Sequence, residues 1–455
     1  MQSTGQTSTQ AVSFVPTHGS QMMYAIYLII LGVAAPAKPP ARLARDYNSG
    51  IGMFFRTMVA LLLGLVGAAG AAAQVPSEPL AFGGGRVTIG ADVSASFGGD
   101  DPGFFNYTDY DHSALRTLRI DVTGAVTAGR HLTLLGEMRT ENVGGVVPYA
   151  LYVRFRPWAD RNIDINAGRV PPTFGAFARR TYASDNPLIG YPLAYQYLTS
   201  LRPDAMPANA DELLSKQSLG WRLRYTVGDT AFDRGVPLVS AFRWDTGVQA
   251  HAGAPNGFVS ATASMTTGTL SNPLFSDDNN GRQFAGRIQL RPMTGLIVGT
   301  SAAHGPFITD ALARSVAVDD AGTYTQSALG ADAEYSRAHY LVRFEAIVSA
   351  WKLPLVHQPA LDLPLRAVST SFEGRYKITP AFYAAARLDH LGFSDVVGTL
   401  VTAPWDAPVT RVEVGGGYSI LRNLQAKASV QRDVRDGGRL QRRAILGAGQ
   451  LVFWF

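Results

Sequence analysis

Acid, base and hydroxyl side chains stand next to one another at two places in this sequence, Asp111-His112-Ser113 and Asp389-His390. Residues of these three types form hydrolytic triads when they converge in space. On an extended strand, however, adjacent side chains point to opposite faces, so neither run forms a triad by itself. No two histidines after residue 73 have the spacing of a metal-binding pair, and the chain contains no cysteine. The sequence therefore predicts no catalytic residue, no metal and no cofactor.

A different chemistry, anion binding, is indicated by guanidinium groups in one long segment. Residues 171–214 have no strand pattern and contain Arg179, Arg180 and Arg202 together with Asp185. A loop longer than about 15 residues is usually functional or disordered, and this one is rich in aromatic side chains, which disordered loops rarely are. We expect an ordered segment whose arginines attract anions. The alternative is that the arginines pair with nearby carboxylates and only hold the segment in place.

Strands are the elements that must position these residues. From Gly85 to Phe455, polar and apolar residues alternate over segments of roughly 10 to 14 residues, separated by Gly, Pro, Asn and Asp. Leu118, Ile120 and Val122, for example, would face one side of a strand and the polar residues between them the other. Such segments occur at 85–97, 114–128, 130–142, 146–157, 162–170, 217–228, 236–247, 256–268, 282–292, 294–304, 325–336, 338–352, 365–378, 380–392, 408–420, 421–433 and 440–455.

This repetition predicts an all-β transmembrane barrel. The chain is 46% hydrophobic but only 16% charged, which suggests that part of its surface does not face water. A closed sheet pairs every backbone polar group, as lipid requires. Because bacterial barrels have even strand numbers, the 17 candidate segments predict an antiparallel up-and-down barrel of about 16 strands, with 18 as the alternative. Segment 171–214 would fold into its lumen and narrow it. A soluble sandwich or propeller remains a second fold hypothesis, although no propeller repeat is visible.

The N-terminal part is expected to be separate from the barrel. Residues 53–73 contain one positive charge, an apolar core and an alanine-rich end, the pattern of a secretory signal peptide. We expect the mature chain to begin at Gln74, with 74–455 forming the barrel and 1–52 being a wrongly assigned or disordered upstream segment. Without the first 73 residues the net charge is 36 − 34 = +2, which gives no support for a nucleic-acid partner.

The polar phase of the predicted strands would line a lumen. A barrel of this size is too wide for side chains to fill, so water can hydrate inward-facing charges. The inward positions carry a mild excess of basic over acidic residues. We expect the lumen to be lined by Arg119, Arg154, Arg156, Arg222, Arg224, Arg343, Glu345, Glu373 and Arg375.

The chain ends on an aromatic strand, Leu451-Val452-Phe453-Trp454-Phe455. This ending, the signal peptide and the alternating strands together resemble Gram-negative outer-membrane porins. In that family the last strand is recognised by the barrel assembly machinery. Phe453 and Phe455 match that assembly signal, whereas Gln450 stands where a glycine is usual. Residues 167–175 are loosely similar to a segment of phosphate-selective porins.

The resemblance implies a channel in the bacterial outer membrane. Such a protein contacts outer-membrane lipid, forms trimers and lets small hydrophilic solutes diffuse passively, and the arginines of segment 171–214 would give this one a preference for anions. Two alternatives stay open. One is a non-conducting barrel that acts as an adhesin or structural protein, and the other is a hydrolase carried on a barrel.

Overall fold

A computed structural model describes residues 78–108, 112–142, 144–241, 243–317, 320–354, 356–361 and 363–455. The predicted upstream segment 1–52 and the signal peptide 53–73 lie outside these residues. Within them, sixteen strands form the wall of one barrel. They are β1 (Val87–Gly98), β2 (Leu118–Ala128), β3 (Leu132–Glu141), β4 (Val147–Phe155), β5 (Asn162–Val170), β6 (Asp245–Gly253), β7 (Val259–Thr266), β8 (Gln283–Met293), β9 (Leu296–Pro306), β10 (Thr325–Arg337), β11 (Tyr340–Trp351), β12 (Leu365–Lys377), β13 (Phe382–Phe393), β14 (Val409–Leu421), β15 (Leu424–Arg435) and β16 (Arg443–Trp454).

The sheet closes on itself. Each strand is antiparallel to the strands before and after it in the chain. The last strand, β16, pairs with β1 and places Trp454 opposite Asp92. Phe455 continues this seam, since its N–H and C=O each bond to Ala91 at 3.0 Å. Closure leaves no strand edge exposed to lipid. The predicted 16-stranded up-and-down barrel is confirmed.

The outer face of the wall is apolar and the inner face is charged. Large hydrophobic side chains are exposed around the outside, among them Val122, Leu134, Leu151, Ile165, Val248, Met265, Ile288, Leu329, Phe344, Phe372, Leu388, Val412, Val430 and Ile445. So much exposed apolar surface is stable only against lipid. Exposed aromatic rings also follow one rim, at Phe155, Phe258, Tyr340, Tyr376, Phe382 and Tyr418. An apolar band with an aromatic girdle around a polar interior is the architecture of bacterial outer-membrane barrels.

Connections differ in length between the two rims. At the rim that we call the short-turn rim, strands are joined by brief turns such as 129–131 and 294–295. Gly129 and Gly295 have φ of +74° and +85° there, which β-carbon-bearing residues rarely adopt. The opposite, long-loop rim carries most of the long connections, including 307–324. Tight turns and long loops therefore lie at opposite rims, as in bacterial outer-membrane barrels.

Two predicted strands, 217–228 and 236–247, are wrong. A single wall strand, β6, takes their place and begins only at Asp245. The alternation at 217–228 has another cause, because Leu223 and Tyr225 are at most 1% exposed and belong to a buried cluster that includes other residues of the same connection. A period of two shows that one side of a segment is buried, but not whether lipid or protein covers it.

Helices are short and lie in the connections. They are α1 (Leu193–Gln196), α2 (Ala210–Leu214) and α3 (Asp310–Ser315). The side chain of Asn209 caps α2 by accepting from the Glu212 N–H at 2.9 Å. No helix among the described residues is long and apolar enough to cross a membrane.

Candidate functional site

Part of the connection between β5 and β6, residues 171–244, folds into the barrel, and we call the whole connection the luminal insertion. Its aromatic residues explain why it is ordered, since they pack against one another and against the inner wall. Five of them are at most 6% exposed: Phe174, Phe177, Tyr191, Tyr195 and Tyr197. The predicted inward-folding loop is therefore observed, and it extends 30 residues beyond the predicted end at residue 214, since 244 − 214 = 30.

The luminal insertion is bound to walls that lie nearly opposite each other. On β2, Arg119 donates to the Tyr191 hydroxyl at 2.8 Å. On β11, Glu345 accepts from the Tyr195 hydroxyl at 2.7 Å. Strands two and eleven are almost half a circumference apart in a ring of sixteen. The luminal insertion consequently spans the lumen and narrows it.

Close approach to the wall depends on Gly190. Its N–H donates to the Glu413 carboxylate of β14 at 3.0 Å. A β-carbon at this position would lie 2.6 Å from the same carboxylate and 3.1 Å from the Gln431 amide oxygen. An added β-carbon would therefore push against a carboxylate that Arg387 holds in a fully buried ion pair.

Most charges on the neighbouring wall are fully buried ion pairs. Arg387 contacts Asp389 at 3.0 Å and Glu413 at 2.6 Å, and all three side chains have no exposed surface. Arg411 pairs with Asp433 at 2.7 Å and also donates to the Tyr191 carbonyl at 3.1 Å. Such pairs are costly to break but offer nothing to a passing solute. They hold the luminal insertion against the wall.

A second group of charges remains accessible, and we call it the arginine cluster. It combines Arg180 of the luminal insertion with Arg343 of β11 and Arg375 of β12. Glu334 of β10 pairs with Arg180 at 2.9 Å and with Arg343 at 2.8 Å. Glu373 pairs with Arg343 at 3.1 Å. The side chains of Arg180 and Arg343 keep 20% and 16% of their surface exposed.

Arg375 differs from the other two arginines of the arginine cluster. Among the described residues, no carboxylate lies within ion-pair distance of Arg375, whose guanidinium sits 5.8 Å from the centre of the Tyr383 ring. The Nε atoms of Arg180 and Arg375 are buried without a hydrogen-bond partner. Burial, followed by the positive charge of Arg343, lowers the pKa of Arg180. Burial raises the pKa of Asp185, against the opposing effect of the nearby Arg180 charge.

The predicted constriction residues separate into two places. Arg180 and Asp185 are electrostatic neighbours at the arginine cluster. For Arg179, the side chain lies outside the described part of the structure. The assignment of Arg202 is wrong, because its side chain is 1% exposed and pairs with Asp204 at 2.8 Å within the luminal insertion. Arg202 also donates to two backbone carbonyls there, so it holds the fold of the insertion together.

Six of the predicted lining residues lie on the inner face of the wall: Arg119, Arg154, Arg343, Glu345, Glu373 and Arg375. Arg156 lies just beyond β4 and pairs with Asp164 at 2.8 Å. The prediction fails for Arg222 and Arg224, which are exposed on the luminal insertion and place their guanidiniums 4.5 and 5.6 Å from the Phe232 ring centre. They were assigned to a strand that the barrel does not contain.

The acid and base runs do not converge. Asp111 lies outside the described residues, and the Ser113 hydroxyl caps a short helix by accepting from the Leu115 N–H. In β13, Asp389 is buried on the inner face while His390 is exposed on the outer face. Their opposite orientations follow the strand geometry expected from the sequence.

No protein-family model and no curated protein matches the chain. Solved structures that it resembles include OmpF of Salmonella typhi in complex with daunomycin (10% identity, TM-score 0.49, covering 81% of this chain and 97% of that one). A second is an anion-selective porin from Comamonas acidovorans (9% identity, TM-score 0.49, covering 81% of this chain and 99% of that one). A third is a loop-deletion mutant of OmpT, an outer membrane protein of Vibrio cholerae (12% identity, TM-score 0.48, covering 81% of this chain and 99% of that one).

The strand number, the apolar outside and the inward-folding connection decide the architecture. The chain is a porin-like outer-membrane β-barrel. Its final strand ends with the predicted assembly residues, Phe453 and Phe455, whose ring centres are 5.9 Å apart. Both face outward, because they alternate with Gln450 and Val452, which face inward. Gln450, the departure from the family pattern, is 8% exposed and donates to the Ser96 hydroxyl at 2.9 Å.

Sequence reasoning missed two residues that fix the luminal insertion. Gly190 makes the close approach described above, and Tyr383 of β13 donates its hydroxyl to the Pro187 carbonyl at 3.0 Å. The inward phase of β13 could have indicated Tyr383 as a lumen residue. Nothing in the sequence indicates its partner, because the two residues are 196 positions apart.

Proposed function

We propose that this barrel is a porin, a passive diffusion channel for small hydrophilic solutes that prefers anions. The observation that supports the proposal is the arginine cluster, which keeps exposed surface where Arg180 of the luminal insertion meets the wall. Three guanidiniums share two carboxylates there, and one of those carboxylates, Glu373, also lies 3.5 Å from Arg387. Among the described residues, the guanidinium of Arg375 is therefore the charge here that no ion pair neutralises.

A positive constriction selects by charge. Two unit charges about 6 Å apart interact by roughly 0.7 kcal/mol in a water-like dielectric. An uncompensated guanidinium lowers the energy of an anion by this amount and raises that of a cation equally. Selectivity of this kind depends on the narrowest part of the path, where the solute passes closest to the charges.

Reconstitution in a planar lipid bilayer tests this function. The refolded protein should produce discrete conductance steps, and in a KCl gradient the reversal potential should have the sign of chloride preference. Absence of steps from a folded, inserted barrel would contradict the porin proposal. Steps with cation preference would contradict the role of the arginine cluster alone.

A non-conducting barrel is the second candidate, and one observation favours it. The luminal insertion packs so closely that Arg387, Arg411 and Glu413 on the wall beside it have no exposed side-chain surface. A barrel in which this packing extends across the whole lumen would act as a structural or adhesive protein. The bilayer measurement separates the two functions directly.

The remaining features of maturation and assembly are part of the same proposal. Residues 53–73 would direct export and be removed before Gln74, and residues 1–52 would not belong to the mature protein. Phe453 and Phe455 would be recognised by the barrel assembly machinery, and the mature barrel would form trimers. Mass spectrometry of protein purified from outer membranes tests the predicted N-terminus, and its detection at any other residue would contradict this maturation scheme.

A further inference from the structure

A polar cavity of about 130 Å³ lies in the inner wall, and we call it the wall pocket. It is formed by four adjacent strands, β5 to β8, near the short-turn rim. Its lining residues are Asn162, His251, Ser260, Thr262, Arg287, Gln289 and Arg291. None of them belongs to the luminal insertion or to the arginine cluster, so the wall pocket is a separate site.

One side of the wall pocket is rigid. Arg287 extends across β9 to Asp332 on β10, with Nη2 2.8 Å from a carboxylate oxygen, and its Nη1 donates to the Ser301 hydroxyl at 3.1 Å. Gly299 on β9 makes this contact possible, because a β-carbon there would clash with both Arg287 and Asp332. The charge of Arg287 is thereby neutralised and its side chain is fixed.

The opposite end of the wall pocket carries an uncompensated charge. Arg291 is exposed, and no carboxylate among the described residues lies within ion-pair distance of it. No acidic residue lines the wall pocket. Between Arg291 and the fixed Arg287 lie Gln289 and, opposite it on β7, Ser260. Thr262 lies opposite Arg287, and its hydroxyl is 2.9 Å from His251 Nδ1.

We propose that the wall pocket binds a small polyhydroxylated carboxylate, that is, a sugar acid. A guanidinium fork matches a carboxylate with two parallel hydrogen bonds, which makes Arg291 the anchor for the acid group. Amide and hydroxyl side chains both donate and accept, as the hydroxyl groups of a sugar require. A cavity of 130 Å³ holds about ten water-sized groups at 10 to 15 Å³ each, which fits such a ligand.

This site rests on the proposed function, because a solute reaches the wall pocket through the lumen, but its binding can be measured separately. Isothermal titration calorimetry on the refolded protein in detergent, with sodium D-glucuronate as the probe, measures affinity without any need for conduction. We expect glucuronate to bind and D-glucose to bind at least about tenfold more weakly, because glucose lacks the charged group.

Two variants separate charge recognition from hydroxyl recognition. Arg291→Gln should weaken glucuronate binding about tenfold, and Gln289→Leu should weaken it about fivefold while leaving the weaker binding of acetate unchanged. Arg337→Gln, which removes an exposed arginine at the end of β10, is the matched control and should bind glucuronate as the parent does. Resistance of each folded barrel to heat in detergent verifies that the variants fold.

Three results would overturn the site: glucose binding as tightly as glucuronate, unchanged glucuronate affinity in Arg291→Gln, or an equal loss in Arg337→Gln. Conductance of the same preparations keeps the two proposals distinguishable. A conducting barrel that does not bind glucuronate overturns the wall pocket only. A barrel that binds glucuronate but does not conduct supports the wall pocket and overturns the porin proposal.

Discussion

Arg375 offers the sharpest test of charge selection in the lumen. It belongs to the arginine cluster, is partly exposed and, among the described residues, has no carboxylate partner within ion-pair distance. Arg375→Gln removes one positive charge without leaving a carboxylate unpaired. The variant should therefore have a weaker anion preference while the wall and the luminal insertion stay in place.

The magnitude follows from Coulomb's law. An ion passing about 6 Å from the guanidinium loses or gains roughly 0.7 kcal/mol in a water-like dielectric, so the difference between an anion and a cation is about 1.4 kcal/mol. That difference corresponds to a tenfold change in the ratio of anion to cation permeability. Screening in 0.1 M salt, where the Debye length is about 10 Å, reduces it to roughly threefold or fourfold.

Reversal potentials in KCl gradients measure this ratio in single channels. Arg375→Gln should lower chloride preference about threefold at 0.1 M salt and hardly at all at 1 M, where the Debye length is about 3 Å. Arg375→Lys keeps the charge and should restore the parent ratio. Arg130→Gln, at an exposed turn outside the lumen, is the control. An unchanged ratio in Arg375→Gln, or an equal change in the control, would refute the reasoning.

Three further predictions concern the luminal insertion, one loop and the seam. Gly190→Ala should lower the free energy of unfolding in urea by about 1 to 3 kcal/mol, because the added carbon meets the Glu413 carboxylate. Gly99→Ala, which adds a carbon in open space, is the control and should not lower it. Burial, with neighbouring acidic groups, raises the pKa of Asp278 from 3.8 to about 6. The stability that its protonated form contributes is therefore full below pH 4 and is lost as the pH rises through 6. Protease resistance of loop 267–282 should fall over this pH range in the parent but not in Asp278→Asn. Deletion of Phe455 removes two backbone hydrogen bonds at the seam and should lower the temperature at which the barrel unfolds in detergent gels; an unchanged temperature would contradict a role in closure.

The sequence by itself determined the wall. Alternation along a strand is a local property, since it requires only that one side of each segment faces lipid and the other does not. Turn residues such as Gly295 are equally local, because a positive φ is a property of one residue. The even strand number followed from closure, and it indicated that 17 candidate segments contained an error.

Tertiary structure decided what fills the barrel. Leu223 and Tyr225 alternate with polar residues as in a wall strand, yet they are covered by protein and not by lipid. A period of two residues does not distinguish burial by protein from burial by lipid. Arg180 and Arg202 are alike in sequence, but one reaches Glu334, 154 positions away, while the other pairs with Asp204 two positions along. Long-range partners of this kind depend on which strands become neighbours when the sheet closes. The arginine cluster and the wall pocket therefore form only in the closed barrel, although the segments that contain their residues can be recognised in the sequence.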